Sequence, residues 1–174
     1  MPDGSGEAWR IGHGYDLHRL EVGGAARALV IGGVRLEHDR GPIAHSDGDV
    51  LLHALVDALM GAIGGPDIGQ LFPDNAPEND GRDSADFVRA AAERLARAGY
   101  TVGNIDATVI LERPRIGAMK DRMRTNIATM LGIDARSVNI KGKSHEKVDA
   151  VGEGRAVEAH VVVLLMRVPR SLSN

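Results

Sequence analysis

The chain has 174 residues, 43% of them apolar and 26% charged, which suits one soluble domain with a core of its own. Its 21 basic and 24 acidic side chains sum to −3, which excludes a global basic field for DNA, and 3% aromatics make no stacking platform for single strands. No cysteine is present, so disulfides, thiolate nucleophiles and Cys-rich metal sites are excluded, and any metal must be held by His, Asp or Glu.

Residues 1–10 are rich in Gly and acid and lack the apolar stretch of a signal peptide. The sequence predicts a single domain over 1–174, with an ordered core from about 10 to 168 and short flexible ends. Arg10–Asp16 and Ala28–Val34 are predicted strands, the second stopped by Gly32-Gly33. Ser46 to about Ile63 is the strongest helix: Ser46 is its expected cap, Asp49 completes a capping box, and Leu52, Leu55, Val56, Leu59, Met60 and Ile63 form an apolar stripe. Asp67–Asp83, rich in Pro, Asn, Asp and Gly, reads as a long irregular loop, a class of segment that is usually functional or mobile. A second helix is expected over Ser84–Ala98 with Gly99 behind it, then a strand over Ile105–Leu111 and a third helix from about Gly117 to Leu131, closed by Gly132. Val138–Lys141 and Ala156–Val168 are the last strands. The longest apolar run, Val161–Met166, is far short of the roughly 20 residues of a membrane helix, so no membrane partner is expected and the expected address is the cytoplasm. The order implies an α+β fold, a mixed four- to five-stranded sheet with helices on one face, and leaves the other face for a partner subunit.

Asp16 and His18, at i and i+2 on an extended segment, point the same way and can offer a carboxylate oxygen and an imidazole nitrogen to one ion. A turn-forming Asp beside an exposed His is the plainer alternative. On the first helix Asp49, His53 and Asp57 fall at i, i+4 and i+8, either as a solvated face or as a ligand His oriented by flanking acids. Asp16, His18 and His53 together would make a three-ligand site with an open position, the pattern of catalytic zinc. His45-Ser46 precedes the helix N-terminus, where free amides favour a phosphate. Lys141, Lys143 and Lys147 alternate around His145, placing cations on one side if the stretch is extended, with Glu146 facing away and suited to Mg²⁺. The same lysines also fit an edge strand protected against aggregation.

The stretches Ile11-Gly-His-Gly-Tyr-Asp-Leu-His18, Ile31-Gly-Gly-Val34, Ala44-His-Ser-Asp-Gly-Asp49 with His53-Ala-Leu-Val-Asp57, and Asp67-Ile-Gly69 with Leu71-Phe-Pro-Asp74 stand in an order that resembles the 2-C-methyl-D-erythritol 2,4-cyclodiphosphate synthase family. The similarity runs from about Ile11 to Leu165. It implies chorismate-mutase-like packing of a homotrimer around a threefold axis, with active sites between subunits. It also implies bacterial, cytoplasmic chemistry of the non-mevalonate isoprenoid route: a CMP-releasing, cyclising phosphorus–oxygen lyase acting on 4-diphosphocytidyl-2-C-methyl-D-erythritol 2-phosphate.

By resemblance, Asp16, His18 and His53 hold Zn²⁺ or Mn²⁺, and Glu146 helps hold Mg²⁺ or Mn²⁺ at the diphosphate. His45 and Ser144 match catalytic positions. Asp16, His18, His45, Ser46, Asp67, Ile68, Gly69, Phe72, Pro73, Asp74, Asn75 and Ala76 match the substrate-binding set. Leu111, Pro114, Arg115, Ile116, Gly117, Gly142, Lys143, Ser144 and Glu146 match the cytidine pocket, contributed by the adjacent subunit.

The chain departs from the family pattern near its end. Lys143 and Ser144 stand where the family has a Thr pair, Ala150 falls where it has an aromatic, and Glu153 and Arg155 exchange the charges of its Gly-Arg-Gly-Glu-Gly run. Arg155 is the candidate for the anion in the trimer channel, its partner Glu153 being expected on the same strand face. These departures leave room for a trimeric CDP-ligand-binding protein without turnover. An open zinc would equally suit a phosphohydrolase releasing two separate phosphates.

Overall fold

The computed structural model describes residues 8–23 and 26–169; the expected flexible ends fall largely outside them. Strand β1 (Trp9–Val22) continues well past the predicted Asp16, because pairing rather than composition carries it. It runs antiparallel to β7 (Ala156–Arg167) from Trp9↔Met166 to Arg19↔Ala156. Its far end pairs with β4 (Arg40–Pro42), a short strand that the sequence pattern did not mark. Strand β5 (Tyr100–Ile110) lies antiparallel to β7 and parallel to β6 (Val138–Lys143), giving a mixed five-stranded sheet in the order β4-β1-β7-β5-β6.

The predicted strand over 28–34 is instead a hairpin. β2 (Val30–Ile31) and β3 (Val34–Arg35) flank Gly32 and Gly33, whose φ values of 60° and 68° make the two-residue turn. The glycine pair turns the chain inside the segment rather than ending it.

Helix α1 (Val50–Ala62) lies against β1 and β7, with α3 (Ser84–Arg97) on its other side and α4 (Lys120–Leu131) beyond, packed on α3 and β6. Every residue of α1 except Asp57 and Gly61 is buried, so the supposed polar stripe is not a solvated face. The seat of α1 on β1 is unusually close. A Cβ built on Gly14 would lie 1.9 Å from Ala54 O, and one on Gly12 1.9 Å from Ala58 O. The i, i+2 glycines of the strand thus face the i, i+4 alanines of the helix.

The helix starts three residues later than the capping-box reading placed it. Asp49, fully buried, is the N-cap: its Oδ1 accepts from Leu51 N and Leu52 N at 3.1 Å and from Gly32 N at 2.9 Å, and Oδ2 accepts from Gly33 N at 2.7 Å. One carboxylate therefore joins the hairpin turn to the helix start, and it takes amides that the sequence reading had left free for a phosphate. Burial pushes this carboxyl up to about 6, against the pull of the Gly33, Gly32 and Leu52 amides. A carboxyl that holds its proton more tightly in the folded than in the unfolded chain stabilises the fold at low pH and loses that contribution as pH rises from about 4 to about 6. The melting temperature of the parent relative to Asp49→Asn will therefore fall across that window and level off above it. A difference independent of pH in differential scanning calorimetry would refute the assignment.

The segment over 67–83 contains α2 (Ile68–Leu71) and a 3₁₀ turn at Pro77–Asn79, both too short to give a periodic signal. The short helix α5 (Asp149–Gly152) precedes Gly154 (φ 71°), so Glu153 and Arg155 flank a turn rather than sharing a strand face. They still pair, Arg155 Nε donating to Glu153 Oε2 at 2.7 Å. The sheet face away from α1 carries Trp9, Ile11, Tyr15, Leu17 and Val162, all exposed.

Candidate active site

Asp16 and His18 stand two residues apart on the helix-facing side of β1, and His53 reaches them from the first turn of α1, which the Gly14–Ala54 contact holds against that strand. Asp16 Oδ2, His18 Nε2 and His53 Nδ1 form a triangle with edges of 3.0, 3.1 and 3.3 Å. Donors about 2.0–2.1 Å from one tetrahedral ion sit about 3.3 Å apart, so this set matches a metal centre with three protein ligands. The protonation states agree. Burial pushes the Asp16 carboxyl up, but the His53 hydrogen bond and the two imidazoles outweigh it and hold it below its ordinary value. Burial lowers His18, favouring the neutral ring. An anionic carboxylate and neutral imidazoles are the forms that ligate.

Hydroxyls, not the flanking acids, orient His53. The Ser84 hydroxyl donates to Asp47 Oδ1, so its oxygen is left to accept from His53 Nε2–H at 2.8 Å. Ser46 Oγ lies 3.1 Å from the same nitrogen and accepts from Gly48 N at 3.2 Å. This chain holds a proton on Nε2, so Nδ1, which bonds Asp16 and faces His18, is the nitrogen that would give up its proton to a metal. Asp49 and Asp57, expected to flank the ring, are engaged elsewhere. Ser84→Ala will weaken the affinity of the Asp16, His18 and His53 group for a divalent metal by about 10-fold to 100-fold, as loss of a ring-orienting partner does. Competition against a chromophoric chelator measures it, and an unchanged affinity would show that Ser46 alone suffices.

The expected substrate segment is tied to the same helix. Asp57 Oδ1 accepts from Ile68 N at 2.7 Å, and Asp67 caps α2 by accepting from Gln70 N at 2.8 Å. Phe72 stacks on Phe87 of α3 at 4.3 Å, with Arg82 over both rings. Asn79 Nδ2 donates to Pro73 O at 3.0 Å, leaving Pro73, Asp74 and Asn75 exposed. The carbonyl of His45 accepts from Gly81 N and from Arg27 Nη2, both at 2.8 Å, which anchors the backbone while residue 45 stays exposed. Ser46 is buried against His53.

A cleft of about 470 Å³ opens where β5 and β6 end, lined by residues 111–117 and 142–144 with Val109, Lys120 and Glu146. The structure thus brings together the two segments singled out for the cytidine pocket. Arg113, Arg115, Lys120 and Lys143 make it cationic. Ser144 Oγ donates to Glu146 Oε1 at 3.4 Å. The stretch over 141–147 is not extended throughout: β6 stops at Lys143, and Glu146 and Lys147 adopt φ of 52° and 64°. Lys141 and Lys143, alternate residues of β6, share a side, but Lys147 lies beyond the strand and does not continue it, and Lys141 pairs with Asp106 at 2.6 Å. His145 pins the loop, its Nδ1 2.8 Å from Asp149 Oδ2 and its Nε2 3.3 Å from Glu158 Oε1.

The register Asp16↔Ala159, Ala159↔Val109 and Val109↔Gly142 puts the Asp16, His18 and His53 group and the cleft on one row of the sheet. Three strand spacings, about 14 Å, separate them within a protomer. Arg155 lies elsewhere, by a hollow shared with Arg19 and Arg40, its guanidinium already on Glu153. Ser84, Asp47 and Arg27 were missed by sequence reasoning. Ser84 lies 31 residues from the ring it orients, and serine there also reads as an ordinary helix start.

The YgbB family model matches residues 9–166. The chain is 55% identical over 159 residues to the chloroplastic 2-C-methyl-D-erythritol 2,4-cyclodiphosphate synthase of Oryza sativa, covering 91% of this chain and 70% of that protein. It is 51% identical over 160 residues to the 2-C-methyl-D-erythritol 2,4-cyclodiphosphate synthase of Rhodopirellula baltica, covering 92% of this chain and 95% of the relative. Among solved structures, the IspF–CDP complex of Plasmodium falciparum superposes with a TM-score of 0.83 at 38% identity, over 95% of this chain and all of the other.

Proposed function

Since the chain belongs to the YgbB family, we propose that it catalyses the reaction of its synthase relatives: it converts 4-diphosphocytidyl-2-C-methyl-D-erythritol 2-phosphate into 2-C-methyl-D-erythritol 2,4-cyclodiphosphate and CMP. The observation that carries this reading is the convergence of Asp16, His18 and His53 within 3.3 Å, on the same sheet row as a cationic cleft. A 2-phosphate oxygen attacks the β-phosphorus, and the bond from that phosphorus to the oxygen of the α-phosphate breaks, so CMP leaves. Nucleophile and electrophile are both anions, so positioning and charge neutralisation dominate and no protein nucleophile is required.

Asp16, His18 and His53 are the residues to hold zinc or manganese, and Glu146 to hold magnesium or manganese; such ions supply positive charge against the phosphates at both ends of the transfer. Ser46 and Ser84 keep His53 in its ligand tautomer. Asp57, through Ile68, holds the backbone of Asp67, Ile68 and Gly69 at a set distance from that centre, while residues 72–76 close over the methylerythritol unit. His45 and Ser144 contact the reacting phosphates. Arg113, Arg115, Lys120 and Lys143 attract the diphosphate, and residues 111–117 and 142–146 take the cytidine. The exposed sheet face packs against two further copies around a threefold axis, so each active site joins the metal centre of one subunit to the cleft of its neighbour, in a bacterial cytoplasm. Arg155, with its side chain on Glu153, is the remaining candidate for an anion in the central channel.

The test is ³¹P NMR of the substrate with enzyme, Zn²⁺ and Mg²⁺. Stoichiometric CMP with a cyclic diphosphate is expected. CMP with a linear product would make the protein a phosphohydrolase, and tight CDP binding without turnover would make it a binding protein.

A further inference from the structure

Strand β6 ends at Lys143, and the chain then reverses in a turn closed by Val148 N donating to His145 O at 2.8 Å. The central residues of that turn are Glu146 and Lys147, with φ of 52° and 64°, and Asp149 follows at 63°. Turns with two positive φ values are usually filled by glycine, asparagine or aspartate, because longer side chains crowd the backbone there. A glutamate–lysine turn is not favoured by its own residues and has to be held from outside. Glu146 lines the cleft from this turn, and the one side-chain contact it receives from Ser144, at 3.4 Å, is too weak to place it.

His145 supplies the hold. Its Nδ1 lies 2.8 Å from Asp149 Oδ2, and its Nε2 lies 3.3 Å from Glu158 Oε1. Asp149 is itself fixed, its Oδ1 accepting from Val151 N at 2.8 Å and from Gly152 N at 3.2 Å. Glu158 is buried on β7, and its Oε2 accepts from the Tyr15 hydroxyl of β1 at 3.1 Å. The imidazole thus ties the far side of the turn to the sheet, and its own backbone runs directly into Glu146.

Resting on the assignment of Glu146 to the magnesium of the bound nucleotide, we propose that His145 is a positioning residue: it fixes the left-handed turn that presents the Glu146 carboxylate to that ion. Mg²⁺ keeps several waters and takes only one or two carboxylates beside the phosphates, so the placing of a single carboxylate decides how well it is held. Loss of a partner that orients such a ligand weakens metal affinity by about 10-fold to 100-fold.

Isothermal titration with CDP at increasing Mg²⁺ tests this without turnover, in the parent and in His145→Ala, His145→Gln and Glu146→Gln. In the parent Mg²⁺ tightens CDP binding, and Glu146→Gln weakens that effect. His145→Ala raises the Mg²⁺ concentration needed for half of the effect by about tenfold or more, while its CDP affinity without metal equals the parent's. His145→Gln shifts the same midpoint less, because its amide reaches only one of the two carboxylates. Far-ultraviolet circular dichroism and thermal melts confirm which variants are folded, and His145→Gln decides alone if the alanine variant is not.

A folded His145 variant with the parent's Mg²⁺ midpoint would overturn the proposal. So would a loss of CDP affinity as large without metal as with it, which is the mark of a merely structural role. The Glu146 assignment stands in both cases, provided that Glu146→Gln shifts the midpoint. If Glu146→Gln does not, or if Mg²⁺ has no effect on the parent, that assignment falls and the proposal with it.

Discussion

His53→Ala will lower kcat/KM for cyclodiphosphate formation by about a thousandfold or more. Charge stabilisation by a bound metal is worth several kcal/mol, and each 1.36 kcal/mol is a factor of ten. The ring is one corner of a triangle whose other members, Asp16 and His18, lie 3.0 and 3.1 Å from Nδ1. Two donors from one strand cannot hold an ion against water as three donors from two elements do. The loss will appear both in the ³¹P assay and as metal content measured by mass spectrometry after dialysis. CDP binding will survive, because the cleft is built from other segments. A variant within tenfold of the parent, with metal still bound, would mean that the triangle is not the catalytic centre.

Gly14→Ala carries the largest expected effect on stability. The added Cβ would lie 1.9 Å from Ala54 O and 2.7 Å from Ala58 N, both backbone atoms of α1. No rotamer change relieves a collision with backbone, so the helix must move off the sheet. Overpacking of this kind costs about 3 kcal/mol or more. For a chain of this length that is a fall in melting temperature of about 10 °C. Turnover will fall as well, because α1 carries both His53 and Asp57. Gly61→Ala is the control: its Cβ would find nothing nearer than His13 O at 3.9 Å. Equal melting temperatures for parent and Gly14→Ala would show that α1 is not seated as described.

The convergence of Asp16, His18 and His53 was legible in part: i and i+2 on a strand point the same way by elementary geometry, whereas the polar stripe that carries His53 fits a solvated helix face as readily as an inward one. The partners of His53 were not. Putting the helix start at Ser46 rather than Asp49 turned Asp49 into a supposed flank of the ring, whereas it closes the hairpin at Gly32 and Gly33. The error has a definite cause: serine and aspartate three residues apart match a capping box as well as they match a buried aspartate cap. The length of β1 was hidden for a different reason. Gly12, Gly14, Asp16 and His18 all lie on its inner side, so the usual alternation of apolar inside and polar outside is reversed where Ile11, Tyr15 and Leu17 point outward. The pairing of Gly12 and Gly14 with Ala58 and Ala54 was in principle readable, two small residues on a strand and two on a helix, but only once the two elements were known to face each other. The cleft segments came from family resemblance; composition alone would have read the lysines of 141–147 as edge protection.

The reversed alternation of β1 also governs how the protein will behave on dilution. Trp9 and Ile11 are 57% and 73% exposed, beside Tyr15, Leu17 and Val162 on the same face. A surface of that kind is satisfied only by other molecules, and the free energy it contributes then depends on how many are present. With the threefold assembly proposed above, melting temperature will rise with protein concentration, and a nanomolar assay and a millimolar spectrum will sample different populations. Activity per subunit becomes a quantity set by mass action as much as by the chemistry at His53.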